Sequence, residues 1–488
     1  MKIKKLLEEL SFISFKGNLE QEVTGITHNS KEVKQGFIFI AIKGMNFDGN
    51  NFIEEAINRG AGCIVSEMPP KANMTWVQVN DSRSALSRMS KIFFENPSEK
   101  LNLIGVTGTN GKTSVTFMMK DILEEAGLLP GIIGTLSYQW LDKEIVADRT
   151  TPEADQITKI LNEMVSDGIT HCAMEVSSHS LELKRVEDLN FKIAIFTNLT
   201  GDHLDYHGTM ENYYRAKKKL FSLLDEKNGW AIINVDDQYG KRLITELNSC
   251  YLLYSVNEKS DVYPVKYNLG KDGIKSLVYT PLGEFEIESS LLGKPNLYNL
   301  LACIGACLSL KIPLEKISYG IRKIGDIKGR LELVPNDLGL NVFVDYAHSD
   351  DSLRNILETV RELKPKRIIL VFGAGGDRDR LKRPRMGEVA AKSADFTIIT
   401  SDNPRSENPI DIIKDIEVGF NKIKSTDYTI LPDREEAIFK AIEMAEDGDA
   451  VIIAGKGHEN YQVFKDKILP FSDREVAERA LKVKRENV

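Results

Sequence analysis

Cysteine is scarce in this 488-residue chain: five residues, Cys63, Cys172, Cys250, Cys303 and Cys307, odd in number and without CxxC spacing. That argues against a disulfide framework or a zinc cluster and fits a reducing cytoplasm. No uninterrupted apolar run reaches about 18 residues, and the amino terminus, MKIKKLLEELSF, has neither an apolar core nor a small-residue cleavage site. Neither a membrane span nor a secretory signal is therefore expected. No long block of one charge exists either; 64 basic residues face 72 acidic ones, for a net charge of -8. General affinity for nucleic-acid backbones is not expected, so any phosphate contact must be local. What remains, 42% hydrophobic and 28% charged residues in a chain too long for one core, predicts several globular domains, here read as a cytoplasmic monomer.

Apolar patterning divides the chain in three. Residues 1–98 give short strands at 37–42, 62–67 and 76–79 between helical stretches, and end in the polar segment ENPSEK. From 99 to 327, buried strands at 171–176, 191–199 and 230–235 alternate with amphipathic stretches, the pattern of a doubly wound parallel sheet. After GDIKGR, residues 328–488 repeat that pattern with strands NVFVDY, RIILVFG, FTIITSD and AVIIAG, predicting a Rossmann-like domain. The expected class is α/β: a small first domain, a central ATPase-type sheet and a Rossmann-like third domain. No repeat or low-complexity tract interrupts them.

The segment LNLIGVTGTNGKTSVTFMMKDILEEAG reads as strand, glycine-rich turn and helix, which aims backbone N–H groups and a helix N-terminus at an anion. Gly108, Thr109, Asn110, Gly111, Lys112, Thr113 and Ser114 form the candidate ATP loop, with Lys112 reaching the outer phosphates and Thr113 able to ligate magnesium. The strict GxxxxGK[ST] spacing fails, because Val106 stands where the first glycine belongs. The loop announces a nucleoside triphosphate without naming the reaction.

The variant GTNGKT resembles the ATP loop of the Mur ligases, which share it with folylpolyglutamate synthetases. Further resembling blocks are HNSKEVKQGFIFIAIKGMNFDG (28–49), RTTPE (149–153), MEVSSHSLELKRV (174–186), TNLTGDHLDYHGTMENYYRAKKKLF (197–221), NLYNLLA (296–302), GRLELV (329–334), DYAHSDDSL (345–353), GGDRDRLKRPRMG (375–387), DNPR (402–405) and GKGHE (455–459). They run in order from the first domain to the last and match the diamino-acid-adding members of the family best.

Forming an amide from a carboxylate needs activation, and ATP supplies it through an acyl phosphate. Carboxylate and triphosphate repel one another, so the site needs Lys112 and a cation held by oxygen ligands. The resemblance implies that Glu175 and His203 bind magnesium with Thr113, and that Lys217 is carbamylated into a further ligand. From spacing alone, Lys217, Lys218 and Lys219 read as a basic helix face, and His179 and His207 as structural. The resemblance also implies Asn296 and Asn299 near the base, with Arg330, Asp345 and His348 on the nucleotide side of the third domain.

The family's acceptor is a UDP-MurNAc-dipeptide ending in D-glutamate. Ser30, Met45, Asn46 and Phe47 match its uridine-diphosphate contacts; Thr150, Thr151, Ser177 and Arg185 match contacts to its diphosphate and peptide end. At the amino-acid end, Arg378, Asp402, Asn403, Pro404, Arg405, Gly455 and Glu459 match, the acidic groups suiting an ammonium. Arg405 is the informative one, since a guanidinium fork recognises the far carboxylate of meso-diaminopimelate, which lysine lacks. Meso-lanthionine has the same two ends.

Two departures stand out: Ser349-Asp350 replaces the family's Thr-Pro, and Leu183 stands where some relatives carry glutamine. The expected activity is ATP- and magnesium-dependent addition of a diamino diacid to the acceptor's D-glutamate. The rivals are a lysine-adding or folylpolyglutamate synthetase-like ligase, and a nucleotide-dependent switch without ligase chemistry. A dehydrogenase suggested by Gly373, Gly375 and Gly376 fails because Arg378 takes the last glycine's place in GxGxxG.

Overall fold

The computed structural model describes residues 1–44, 47–70 and 73–487. Three sheets anchor three domains. The first has five strands in the order Phe12–Lys16, Trp76–Val79, Cys63–Ser66, Phe37–Ile40 and Gly25–Thr27. All pair in parallel except Phe12–Lys16, which is antiparallel to its neighbour. Helix Ser82–Phe93, capped by Asp81 accepting from the N–H groups of Arg83 and Ser84, buries Ala85, Leu86 and Met89 against Ile38, Ile40, Val65 and Val77.

The central sheet has eight strands. Six are parallel, in the order Cys250–Tyr254, Trp230–Asn234, Ile193–Phe196, Asn102–Thr107, His171–Glu175 and Pro130–Ile133. Ser137–Trp140 and Lys143–Val146 add an antiparallel edge. Cores of fully buried aliphatic residues form on both faces, as a doubly wound sheet requires. Strand Asn102–Thr107 lies between His171–Glu175 and Ile193–Phe196; chain direction across the sheet reverses there, so the carboxyl ends of these three strands border one crevice. Patterning did not reveal the three-stranded antiparallel sheet Tyr263–Gly270, Gly273–Thr280, Gly283–Ser289.

The third sheet runs Glu332–Val334, Asn341–Asp345, Ala450–Ala454, Ile368–Phe372, Phe396–Ile399, Tyr428–Ile430. All but the first strand are parallel, and again both faces are covered. Asp345, Gly373, Asp402 and Gly455 therefore follow the carboxyl ends of neighbouring strands. No helix among the described residues is long and apolar enough to cross a membrane.

Candidate active site

The central crevice is built by the turn between strand Asn102–Thr107 and helix Lys112–Glu125. Gly108 has φ +153°, and a Cβ there would meet Thr197 Oγ1 at 1.8 Å; Gly111 has φ +89°, with Asn299 Oδ1 2.5 Å from such a Cβ. Only glycine fits at either place. Lys112 arches over the turn, donating to the carbonyls of Gly108 (3.0 Å) and Thr109 (2.8 Å). Burial pushes its ammonium below the ordinary lysine value, opposed by Glu175 and Asp202. The Thr113 hydroxyl donates to Glu175 Oε2 (3.0 Å) and accepts from Arg330 Nη2 (2.9 Å). Glu175, at the end of its strand, also accepts from the Thr135 N–H at 2.7 Å.

A cavity of about 190 Å³ is lined by Lys112, Thr113, Glu175, His203, Lys217, Arg330 and His348. The charged groups assigned to phosphate and metal chemistry thus share one cleft, walled on one side by the third domain. Lys217 is not on a basic helix face. Lys218 and Lys219 point outward to Glu246 (2.7 Å) and Glu182 (2.8 Å), whereas Lys217 is 1% exposed and donates to the Gly108 carbonyl at 2.7 Å. Burial, reinforced by Lys112, drives its amine well below the ordinary lysine value. Spacing could not show this, because three consecutive helical positions point about 100° apart and only one of them faces inward. His203 has φ +55°; desolvation at the mouth of the cleft lowers its imidazole below the ordinary histidine value, opposed by the adjacent Asp202. His179 packs between it and Tyr206, with ring centroids 4.9 and 4.3 Å away.

A larger cavity of about 390 Å³ lies beside the first, lined by Asn110, Gly111, Asn296, Tyr298, Asn299, Arg330, Asp345 and Asp351. Asn296 and Asn299 stand on the first turns of helix Gly293–Ser309. Asp351, which the sequence did not single out, accepts from Asn110 Nδ2 (2.8 Å) and the Thr200 hydroxyl (3.0 Å), tying the third domain to the loop. Asp345 accepts from the N–H groups of Leu331 and Ala347, and burial raises its carboxyl above the ordinary aspartate value. His348 is held by the Tyr346 carbonyl at 2.9 Å. Serine in place of threonine at 349 still caps helix Asp350–Glu362, its hydroxyl accepting from the Ser352 N–H.

Toward the first domain, Thr151 donates to the Glu175 carbonyl (2.8 Å) and accepts from the Ser177 N–H (3.2 Å). Arg185 donates to the Thr151 carbonyl (2.9 Å) and pairs with Glu153 (2.9 Å), so part of its fork is already engaged. Thr150 lies 3.1 Å from the Thr135 hydroxyl. In the first domain the Ser30 hydroxyl donates to Glu55 (2.8 Å), Phe47 is 75% exposed, and Met45 and Asn46 lie outside the described residues. His28 bridges the two domains, its ring and N–H both meeting the Asp155 carboxylate at 2.9–3.0 Å.

The DNPR loop follows strand Phe396–Ile399. Arg405, at φ +54°, is pinned by its N–H to the Val463 carbonyl (2.9 Å) and by Nη1 to the Gly376 carbonyl (2.7 Å). Among the described residues, Arg378 holds only the Asp377 carbonyl, at 3.3 Å. Pro404 O accepts from the Glu407 N–H, and a Cβ on Gly376 would meet it at 1.9 Å. Gly455, at φ +116°, packs on Asp402, whose carboxylate would lie 2.5 Å from a Cβ. Two buried residues escaped sequence reasoning although both lie in recognised blocks. Arg383 clamps Glu407 and Asp415 and donates to the Gly375 carbonyl. Lys456 donates to Asn403 Oδ1 (3.0 Å) and Glu459 Oε2 (2.9 Å). Glu459, one of the acidic groups expected to suit a substrate ammonium, already holds that of Lys456 on one oxygen. This region adjoins the nucleotide cleft through Tyr346, whose ring lies 4.9 Å from the Arg330 guanidinium and 5.0 Å from the His458 ring.

The glycine turn, Lys112 and Glu175 thus share one cleft, which the DNPR loop adjoins through Tyr346, and the enzyme is an ATP-dependent ligase that forms an amide bond. Comparison with known proteins gives the family. The Mur ligase middle domain matches residues 106–307, the Mur ligase glutamate ligase domain 329–457, and the Mur ligase family catalytic domain 22–94. The UDP-N-acetylmuramoyl-L-alanyl-D-glutamate–2,6-diaminopimelate ligase 1 of Clostridium acetobutylicum is 44% identical, over 99% of both chains. The corresponding ligase of Clostridium perfringens is 43% identical over 98% of both. A solved structure of a ligase of that name superposes with a TM-score of 0.70 at 31% identity, covering 99% of each chain. The chain belongs to the Mur ligase family.

Proposed function

We propose that this enzyme joins an amine of meso-diaminopimelate, or of a close diamino diacid such as meso-lanthionine, to the D-glutamate side-chain carboxylate of UDP-MurNAc-L-Ala-D-Glu. ATP is consumed, and the reaction is a cytoplasmic step of peptidoglycan synthesis catalysed by a monomer. The names of its relatives support this, and the observation that carries it is Arg405. Apart from the bond to Gly376, its guanidinium has no protein acceptor among the described residues, which leaves N–H groups for a second substrate carboxylate. We divide the domains at 98/99 and 327/328.

In this reading, the N–H groups opening helix Lys112–Glu125 and the Lys112 ammonium bind the phosphates, while Asn296 and Asn299 approach the base. Ser30 and Phe47, with Thr150, Thr151, Ser177 and Arg185, hold the acceptor so that its carboxylate enters beside Glu175. Carboxylate oxygen attacks the γ-phosphorus and ADP leaves. The diamino acid is held by the Asp402–Arg405 loop and, through its non-reacting ammonium, by Glu459; its other amine, neutral, then forms the C–N bond as phosphate departs with the C–O electrons and the nitrogen sheds a proton. Arg330 and His348 exclude water from above.

The adjacent oxygens of Thr113 and Glu175 suit a hard divalent cation, and with His203 they would hold magnesium, which supplies charge neutralisation at the transferring phosphoryl group. Lys217 is the carbamylation site. Burial shifts its amine well down, which favours the neutral form, the one that adds carbon dioxide. Products formed from UDP-MurNAc-dipeptide and ATP, with diaminopimelate, lanthionine and lysine in competition, are to be identified by mass spectrometry. A diamino diacid adduct is expected; preference for lysine refutes the reading.

A further inference from the structure

The third-domain pocket contains a contradiction that its geometry resolves. In the proposed reaction Arg405 must stay open for a carboxylate and Glu459 for an ammonium, yet the two opposite charges lie close enough for Glu459 to act on the guanidinium. No hydrogen bond joins them among the described residues. What restrains Glu459 is Lys456, which is 0% exposed. Its ammonium donates to Glu459 Oε2 (2.9 Å) and Asn403 Oδ1 (3.0 Å). A lysine can only donate, so it fixes the Asn403 carboxamide with oxygen toward itself and nitrogen toward Glu459. Asn403 Nδ2 donates to the same Oε2 at 2.8 Å, and its oxygen also accepts from the Val463 N–H at 2.9 Å. Two donors thus hold one oxygen of Glu459. The other, Oε1, has no protein partner among the described residues.

We propose that Lys456 is a positioning residue for amino-acid specificity: by holding Glu459 on Oε2, it keeps Oε1 aimed at a substrate ammonium and keeps Glu459 off Arg405. This rests on the proposed reaction and adds a determinant for the ammonium, distinct from the carboxylate that Arg405 reads. An uncharged side chain at 456 frees Glu459 to swing onto the guanidinium, so the pocket loses its ammonium acceptor and part of its carboxylate fork together.

The test compares diaminopimelate with 2-aminopimelate, which keeps both carboxylates and lacks one ammonium. In the wild type, diaminopimelate is expected to be favoured in kcat/KM by about 10- to 100-fold, the worth of one charge-assisted bond. In Lys456→Met that ratio falls at least about fivefold, carried by the KM for diaminopimelate, while the KM for ATP holds; Lys456→Arg recovers part of it. Because Lys456 acts through Glu459, adding Lys456→Met to Glu459→Gln lowers the ratio no further. An unchanged ratio in Lys456→Met, or a full additional loss in the double variant, overturns the proposal. Should Lys456→Met fail to fold, Glu459→Gln alone carries the comparison: its ratio is expected to fall at least about fivefold with the KM for ATP unchanged, and an unchanged ratio overturns the proposal. A wild type that joins neither amino acid refutes the proposed reaction instead.

Discussion

Replacing Arg405 by methionine removes the fork and leaves its supports. The backbone N–H to Val463 stays, as does the Arg383 clamp on Glu407 and Gly375, so the loop keeps its course. The protein loses one bond to the Gly376 carbonyl; the substrate loses a charged partner for its far carboxylate. Stranding a desolvated charge costs about 2 to 5 kcal/mol, and 1.36 kcal/mol is tenfold. Arg405 is only partly buried, which places the effect near the lower end, at roughly 30- to 300-fold in kcat/KM for diaminopimelate. Lysine has no such carboxylate, so its kcat/KM should change less than about threefold. Both constants are read from amide product quantified by mass spectrometry at saturating ATP and acceptor. Equal losses for the two amino acids, or undiminished use of diaminopimelate, would refute the assignment.

Gly108→Ala drives a Cβ to 1.8 Å from Thr197 Oγ1; ATP binding measured by calorimetry should vanish, with a melting temperature lowered by several degrees. Asp351→Ala cuts both bonds from Asn110 and Thr200 to the third domain, and we expect the KM for ATP to rise about tenfold along with faster proteolysis between the domains. At the other interface, burial lowers His28 but the Asp155 carboxylate more than compensates, so its folded pKa lies above the ordinary 6.5. The stability it contributes is therefore complete below that ordinary value and lost as pH rises through the folded pKa. Melting curves of wild type and His28→Gln should converge toward alkaline pH and separate toward pH 6; a gap that widens on the alkaline side contradicts the pairing.

Strand-forming runs and the glycine turn were legible because each rests on local patterning: parallel strands buried on both faces are continuous aliphatic runs, and a phosphate turn needs glycine where no Cβ fits. The antiparallel sheet at 263–289 was harder to read. Its outer strands, Tyr263–Gly270 and Gly283–Ser289, are largely exposed and mix polar with apolar residues, only the middle strand Gly273–Thr280 is mostly buried, and its turn signals, Gly270 with Gly273 and Gly283, sit in sequence that looks like loop. Residues acting across domains were invisible for another reason. Asp351 reaches the loop 241 positions away, and His28 reaches Asp155 across 127; no period or spacing encodes such a pair. Lys456 and Arg383 lay inside recognised blocks, yet a buried cation cannot be told from a solvated one until its partners are placed around it. Lys217 shows the same limit, since its two basic neighbours do face water.

Tyr346 stands between the Arg330 guanidinium, which reaches the glycine turn through Thr113, and the His458 ring of the turn that carries Lys456 and Glu459. Both surfaces therefore travel as one piece whenever the third domain lifts or settles. Substitutions of Tyr346 should accordingly raise the phosphate released per amide formed, read by assaying both products of one reaction.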